Sequence, residues 1–250
     1  MLDAMNDIEG KVTLVTGGSR GIGAAVAVRL AEGGADVALT YERATTRADA
    51  VVDRIKGIGR RALAIQADSA DDAAVTAAVD TTVATFGRLD ILVNNAGVFH
   101  VGPLEDLGAT ELDRTLAVNV RAPFVASQAA ARHLTDGGRI ISIGSNVAER
   151  SVFPGFTLYA LSKTALIGMT KGLARDLGTR GITANLVNPG ATDTEMNPAD
   201  GPNADMIRSF TAVDRYAAPE EIAATVAHLA GDGGRYITGA TINVDGGFTV

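Results

Sequence analysis

Short apolar runs alternate along the chain with segments whose apolar residues recur at three- and four-residue spacing. The runs, read as strands, are Val12–Thr16, Val37–Tyr41, Ala62–Ala67, Ile91–Asn94, Arg139–Ile143, Thr183–Val187 and Thr241–Val244. The segments between them read as helices: Ala24–Ala31, Ala44–Lys56, Ala73–Phe86, Thr110–Leu134, Leu158–Leu177 and Glu220–Leu229. A looser polar stretch rich in Pro, Asn and Asp runs from Thr192 to Pro202. Seven strands separated by helices predict an α/β fold. Its core is a mostly parallel, doubly wound sheet of the Rossmann type, with helices on both faces. No repeat or low-complexity linker divides the chain, so residues 1–250 read as a single domain. Residues 10–145 form roughly a cofactor half and 146–250 a catalytic and substrate half.

The first strand–helix junction is Thr16-Gly17-Gly18-Ser19-Arg20-Gly21-Ile22-Gly23. Glycines there let the backbone turn sharply and approach a phosphate, and the following helix offers unpaired N–H groups. A tight turn is the bland reading; its place at the first crossing favours nucleotide binding. The end of the second strand separates cofactors, because a carboxylate suits the ribose of NAD and arginine suits the 2′-phosphate of NADP. That position is Tyr41; Glu42 beside it is expected to point away, since side chains alternate. Arg20 and Arg43 either flank a 2′-phosphate or are solvated surface residues; NADP(H) is favoured over NAD(H).

Composition narrows the functions. Apolar residues make up 46% of the chain and charged residues 20%, which excludes a disordered protein. There is no cysteine, so thiolate catalysis, disulfides and Cys-ligated zinc are excluded. His133 and His228 sit on expected helices without a ligand partner, so no metal is expected, and His100 either contacts substrate or is a solvated loop residue. The net charge of −7 and the 4% aromatic content argue against nucleic-acid partners. No apolar run is long enough for a membrane span. Asp3, Asp7 and Glu9 stand where a signal peptide would be basic, so a cytoplasmic location is expected.

The candidate chemistry lies in Tyr159-Ala160-Leu161-Ser162-Lys163, with Ser145 fourteen positions upstream. On a helix, Tyr159 and Lys163 lie one turn apart on one face. A phenol with a pKa of about 10 is a poor proton carrier at neutrality, and a nearby ammonium lowers that value. Ser145 can hold a substrate oxygen beside the phenol, which then acts as general acid or base. Asn94-Asn95-Ala96-Gly97 follows the fourth strand, where buried amides can tie strand ends together. Pro123 removes an N–H from its helix, which predicts a kink and a free carbonyl at Asn119.

Together these residues resemble the short-chain dehydrogenase/reductase family over nearly the whole chain. The resemblance rests on the glycine-rich loop 16–23, the turn 94–97, Asn119, Ser145, Tyr159, Lys163 and Pro189-Gly190, in the family's order. It implies that Ser145 and Tyr159 hold and protonate the substrate oxygen. It also implies that Lys163 binds the nicotinamide ribose and that Asn119 completes a water relay. Asp68 and Ser69 are expected beside the adenine, Thr192 and Thr194 beside the nicotinamide amide, and Asp193–Phe210 as a mobile flap. The Ser145–Tyr159 spacing is one residue longer than the family's common one, an excess to be absorbed within 146–158. Ser142 is a rival for the serine role. The resemblance also implies a homotetramer, with the terminal helices and the Gly246–Val250 tail as contact surfaces.

The expected activity is NADP(H)-dependent interconversion of a ketone and a secondary alcohol. Phe153, Pro154 and Phe156 suggest a small ketone or ketoester. The alternatives are reduction of 3-oxoacyl chains on a carrier protein, for which Arg132 and Arg175 offer a basic patch, and nucleotide sensing on the same fold.

Overall fold

A computed structural model describes residues 7–250; Asp3 lies outside the described residues. Seven strands form one parallel sheet in the order β3-β2-β1-β4-β5-β6-β7. They are β1 (Val12–Val15), β2 (Asp36–Tyr41), β3 (Ala62–Gln66), β4 (Leu89–Asn94), β5 (Leu134–Ile143), β6 (Thr183–Pro189) and β7 (Thr241–Val244). The helices are α1 (Gly21–Glu32), α2 (Thr45–Gly57), α3 (Asp72–Phe86), α4 (Ala109–Leu116), α5 (Ala122–Ala131), α6 (Thr157–Leu177), α7 (Ala204–Ser209) and α8 (Pro219–Ala230).

Both faces of the sheet are buried, and successive side chains feed opposite layers. Val15, Leu39, Ile91 and Ile141 pack with Val26 and Leu30 of α1, Ile55 of α2 and Val226 of α8. Leu14, Ala38, Leu92 and Ile140 pack with Val79 of α3 and Ala126 of α5 on the other face. Strand order reverses between β1 and β4, so a crevice opens at their carboxyl ends, where ligands bind in such sheets.

The long helical stretch expected over Thr110–Leu134 is divided. A π-helical turn, Ala117–Arg121, separates α4 from α5, and Pro123 sits in the first turn of α5. Proline cannot donate and crowds the carbonyl four residues back; widening the turn relieves both problems. Leu134 belongs instead to β5, which starts five residues before the expected Arg139. The early start comes with a register shift against β4 between Leu89 and Ile91. Residues Leu134–Gly138 are therefore the bulged opening of that strand. Helix α7 was not expected; six residues are too few to show helical periodicity.

Candidate active site

One cleft of about 360 Å³ runs along the carboxyl ends of the strands. Its floor is the turn after β1. Gly17 has φ +64°, and a Cβ there would stand 2.9 Å from the Ala96 Cα. At Gly23 a Cβ would stand 2.4 Å from Asn95 Nδ2. The glycines thus let this turn and the 94–97 turn close on each other. The Asn95 amide donates to the carbonyls of Thr16 and Gly17 at 2.9 and 3.0 Å. Asn94 donates to Ser127 Oγ at 3.1 Å and to Ser142 Oγ at 3.4 Å, tying strand ends as expected. Ser142 is buried within β5 and does not line the cleft, so it is no rival to Ser145.

Helix α1 starts at Gly21 with no acidic residue in its first turn and no side-chain cap from Arg20. Its N–H groups and dipole end therefore face the cleft without a competing anion, which fits a pyrophosphate. Gly17, Ser19, Arg20, Gly21, Ile22 and Gly23 all line this part, with Tyr41 and Ser69 beyond them. Asn95, Ala96 and Gly97 form one wall; Pro189, Gly190, Thr192 and Thr194 form the other.

At the far end Ser145, Tyr159 and Lys163 come together. Ser145 follows β5, and its N–H donates to Asn188 Oδ1 at 3.1 Å. Asn188, fully buried on β6, is held in turn by Asn243 of β7 at 3.2 Å. Three strands thus fix the serine. The extra residue before Tyr159 is taken up in a 146–156 loop that opens with a 3₁₀ turn over Asn146–Ala148, and Ser145 still reaches the phenol.

Lys163 is only 5% exposed, and its Nζ donates to the Ile143 carbonyl at 3.0 Å. Burial pulls its ammonium down to about 8. Nζ stands 5.7 Å from the centre of the Tyr159 ring. Burial pushes the Tyr159 phenol up to about 12, and the hydrogen bond with Ser145 acts in the opposite direction. The expected lowering of the phenol by Lys163 is not found: burial sets the direction, and Ser145 alone opposes it.

Three expected site residues do not line the cleft. Asn119 is 1% exposed; its Nδ2 donates to the Val98 carbonyl and to Ser162 Oγ, both at 3.0 Å, and its Oδ1 accepts from the Val98 N–H. It braces the 94–98 segment against α6, and the carbonyl that Lys163 bonds is that of Ile143. Asp68 is turned to Arg114 at 3.0 Å and to the Ala70 N–H at 2.8 Å, and the Arg114 guanidinium holds its carboxyl below the usual value. Arg43 has an 89% exposed side chain paired with Glu42 at 3.1 Å.

Sequence reasoning missed several residues of the cleft. Glu42 lines it instead of pointing away, because β2 ends at Tyr41 and strict alternation ends with it. Arg114 of α4 also lines it and bonds Glu42 at 3.3 Å. Glu195, in the polar stretch after β6, takes Arg20 at 3.1 Å and Arg47 at 2.5 Å. Phe248 lines the cleft from the C-terminal tail, and nothing local announced it. His100 bonds Thr115 Oγ1 at 2.9 Å and does not line the cleft; His133 faces Asp80 at 3.1 Å. Among the described residues, no three His, Asp or Glu side chains gather as metal ligands, and no helix is long and apolar enough to cross a membrane.

Comparison with known proteins agrees with this geometry. A family model described as Enoyl-(Acyl carrier protein) reductase matches residues 17–249. A short chain dehydrogenase from Burkholderia cenocepacia J2315, solved in complex with NADP, is 60% identical with a TM-score of 0.97. The match covers 98% of this chain and all of that one. The cyclic-di-GMP-binding biofilm dispersal mediator protein of Escherichia coli K12 is 45% identical over 98% of this chain and 99% of its own length. A versicolorin reductase of Emericella nidulans is 40% identical over 96% of each chain. With the Tyr159–Lys163 pair and the glycine-lined crevice on one sheet edge, these likenesses reach nearly end to end. The chain belongs to the short-chain dehydrogenase/reductase family and is an NAD(P)-dependent oxidoreductase acting on CH–OH or C=O groups.

Proposed function

We propose that the protein is an NADP(H)-dependent carbonyl reductase that interconverts a free ketone and a secondary alcohol. The observation that carries this is the convergence of Ser145, Tyr159 and Lys163 at one end of a cleft whose other end is the glycine-rich turn. When bound, the dinucleotide supplies the hydride. Backbone N–H groups at the start of α1 would hold its pyrophosphate, Ser69 would border its adenine, and Thr192 and Thr194 would border the nicotinamide amide. Ser145 holds the carbonyl oxygen. The phenol of Tyr159, raised to about 12, stays protonated at neutral pH and is the proton donor to that oxygen. Lys163 sits one turn below, on the ribose side, and Asn119 acts through the backbone it braces.

The 2′-phosphate of NADP is assigned to Arg20 and Arg43, with Arg47 beside them. A free ketone is favoured over a carrier-bound chain because Arg132 and Arg175 lie near the C-terminal ends of α5 and α6, at the sheet edge opposite the cleft. A homotetramer is part of this reading. Leu112, Phe124 and Leu161 of α4–α6 are among the exposed apolar side chains, and the expected contact tail is mixed, with Phe248 2% and Val250 93% exposed. NADPH consumption with a panel of ketones tests the reading; no turnover of any ketone overturns it. The likeness to a cyclic-di-GMP-binding protein favours one second reading, a nucleotide sensor. Tight cyclic-di-GMP binding without ketone turnover would select it.

A further inference from the structure

We propose that the pocket beside Tyr159 selects ketones that carry a neutral aromatic ring, a step that rests on the carbonyl reductase reading. The chain has seven phenylalanines and no tryptophan. Five of the seven form one connected cluster with Tyr159. Phe99 stands edge-on to Tyr159 at 4.8 Å and 85°, and to Phe156 at 5.5 Å and 72°. Phe153 touches Phe156 at 5.5 Å, Phe210 at 5.3 Å and 86°, and Phe248 at 6.3 Å.

This concentration is not a demand of the core. Of the twelve largest fully buried side chains, eleven are Leu or Ile, and the single aromatic is Phe248 itself. The sheet's layers are filled by aliphatic residues, while the aromatic residues are delivered to one end of the cleft. They arrive from four separate places: the turn after β4, the loop before α6, the end of α7 and the C-terminal tail. Phe99, Phe153, Phe156 and Phe248 all line the cleft, and Phe99 keeps 37% of its surface exposed. A substrate ring there meets both ring edges and ring faces, an arrangement that favours an aromatic ring over a saturated ring of the same size.

The wall is also held in place before any substrate arrives. Asp245 accepts from the N–H groups of Gly247 and Thr249, both at 3.0 Å, and so curls the tail inward. Arg150 donates to the carbonyls of Phe248 and Val250 and lies 5.7 Å over the Phe248 ring. Arg150 is turned to the tail and does not line the cleft, so it gives a substrate carboxylate no partner there, which is why the ring is expected to be neutral. A preorganised wall spends little of the binding energy on ordering.

The test compares 4-phenyl-2-butanone with 4-cyclohexyl-2-butanone. Two carbons insulate the carbonyl from each ring, so the ketones differ in ring type and hardly in electrophilicity. With NADPH, kcat/KM is expected to favour the phenyl compound about tenfold, the worth of one to two edge-to-face contacts. Phe153→Leu should bring the ratio below about threefold, and Phe99→Leu is the second variant if the first fails to fold. The Kd of each ketone for the NADP⁺-loaded enzyme reads the pocket where no hydride is available, and should show the same preference. A ratio within twofold in both measurements overturns the aromatic pocket. Absence of turnover with a preserved Kd preference overturns the reductase reading instead and leaves the pocket standing.

Discussion

Lys163→Met should make the ligand-free protein more stable at neutral pH while removing its activity. Nζ is buried, and its one hydrogen bond is to the Ile143 carbonyl. Burial moves the ammonium from 10.5 to about 8. The unfolded chain therefore binds this proton more tightly, and the group opposes folding at every pH below about 8. The opposition fades as pH rises from about 8 to 10.5, where both states become neutral. At 1.36 kcal/mol per pH unit, the shift corresponds to roughly 3 kcal/mol. Methionine fills similar space without charge but leaves the Ile143 carbonyl without its donor, a loss of about 1–2 kcal/mol. The net gain at pH 7 is then about 1–2 kcal/mol, or a few degrees in Tm for a chain of this size. Tyr159 does not blur the reading. Its phenol is raised from 10 to about 12, so its contribution is complete below pH 10 and is lost only as pH rises through 12. Urea unfolding of both proteins at pH 7, 8, 9 and 10, without cofactor, should show the advantage of the variant shrinking and then reversing. A variant less stable than the parent at pH 7, with a difference that does not change with pH, refutes the reasoning. Ketone turnover by the variant should fall by at least about 100-fold.

The other expectations concern proton transfer, the cofactor phosphate and the floor of the cleft. Tyr159→Phe should lower kcat by at least about 100-fold while the Kd for NADPH, followed by fluorescence titration, stays within about twofold; full activity would overturn the proton-donor role. The double change Arg20→Ala with Arg43→Ala should weaken NADPH binding by roughly 10- to 100-fold and NADH binding hardly at all. Equal losses for both cofactors would place the phosphate elsewhere. Gly23→Ala puts a Cβ 2.4 Å from Asn95 Nδ2 and from the Gly17 carbonyl, so it should lower Tm by several degrees and abolish cofactor binding. A variant with wild-type Tm and affinity would show that the two turns are not locked together.

What the sequence made legible was local. The glycine-rich turn, the Tyr159–Lys163 spacing and five of the helices each lie within one element or junction, where periodicity and turn chemistry act. Long-range pairings left no such trace. Glu195 meets Arg20 across 175 positions and Arg47 across 148, and Arg150 holds the tail carbonyls 98 and 100 positions away. Nothing in the local pattern around Phe248 distinguishes a pocket wall from a solvated tail. Asn119 shows a subtler limit. It was singled out by Pro123 and by family order, but it lies in the π-helical turn, which periodicity does not reveal, and its side chain braces the 94–98 segment.

The adenosine end of the cleft shows how cofactor choice can be spread over paired charges. Arg20, Arg43, Arg47 and Arg114 face Glu42, Asp68 and Glu195, four cations against three carboxylates, a local balance of +1 within a chain of net −7. Every one of these guanidiniums already has a carboxylate partner. The pairs reach solvent, so each contributes little, and a phosphate with bidentate geometry can replace it. Glu195 is the residue such a replacement disturbs most, because it holds Arg20 and Arg47 together. It also adjoins Thr194, which the proposed reading places at the nicotinamide. On that reading, a 2′-phosphate engaging Arg20 loosens one of the two arginine contacts that Glu195 makes in the segment after β6. Substituting Arg20 then removes a phosphate ligand and half of that anchor at once. Arg43 pairs with Glu42 and leaves the Glu195 contacts intact, so Arg43→Ala alone is the cleaner measure of phosphate recognition.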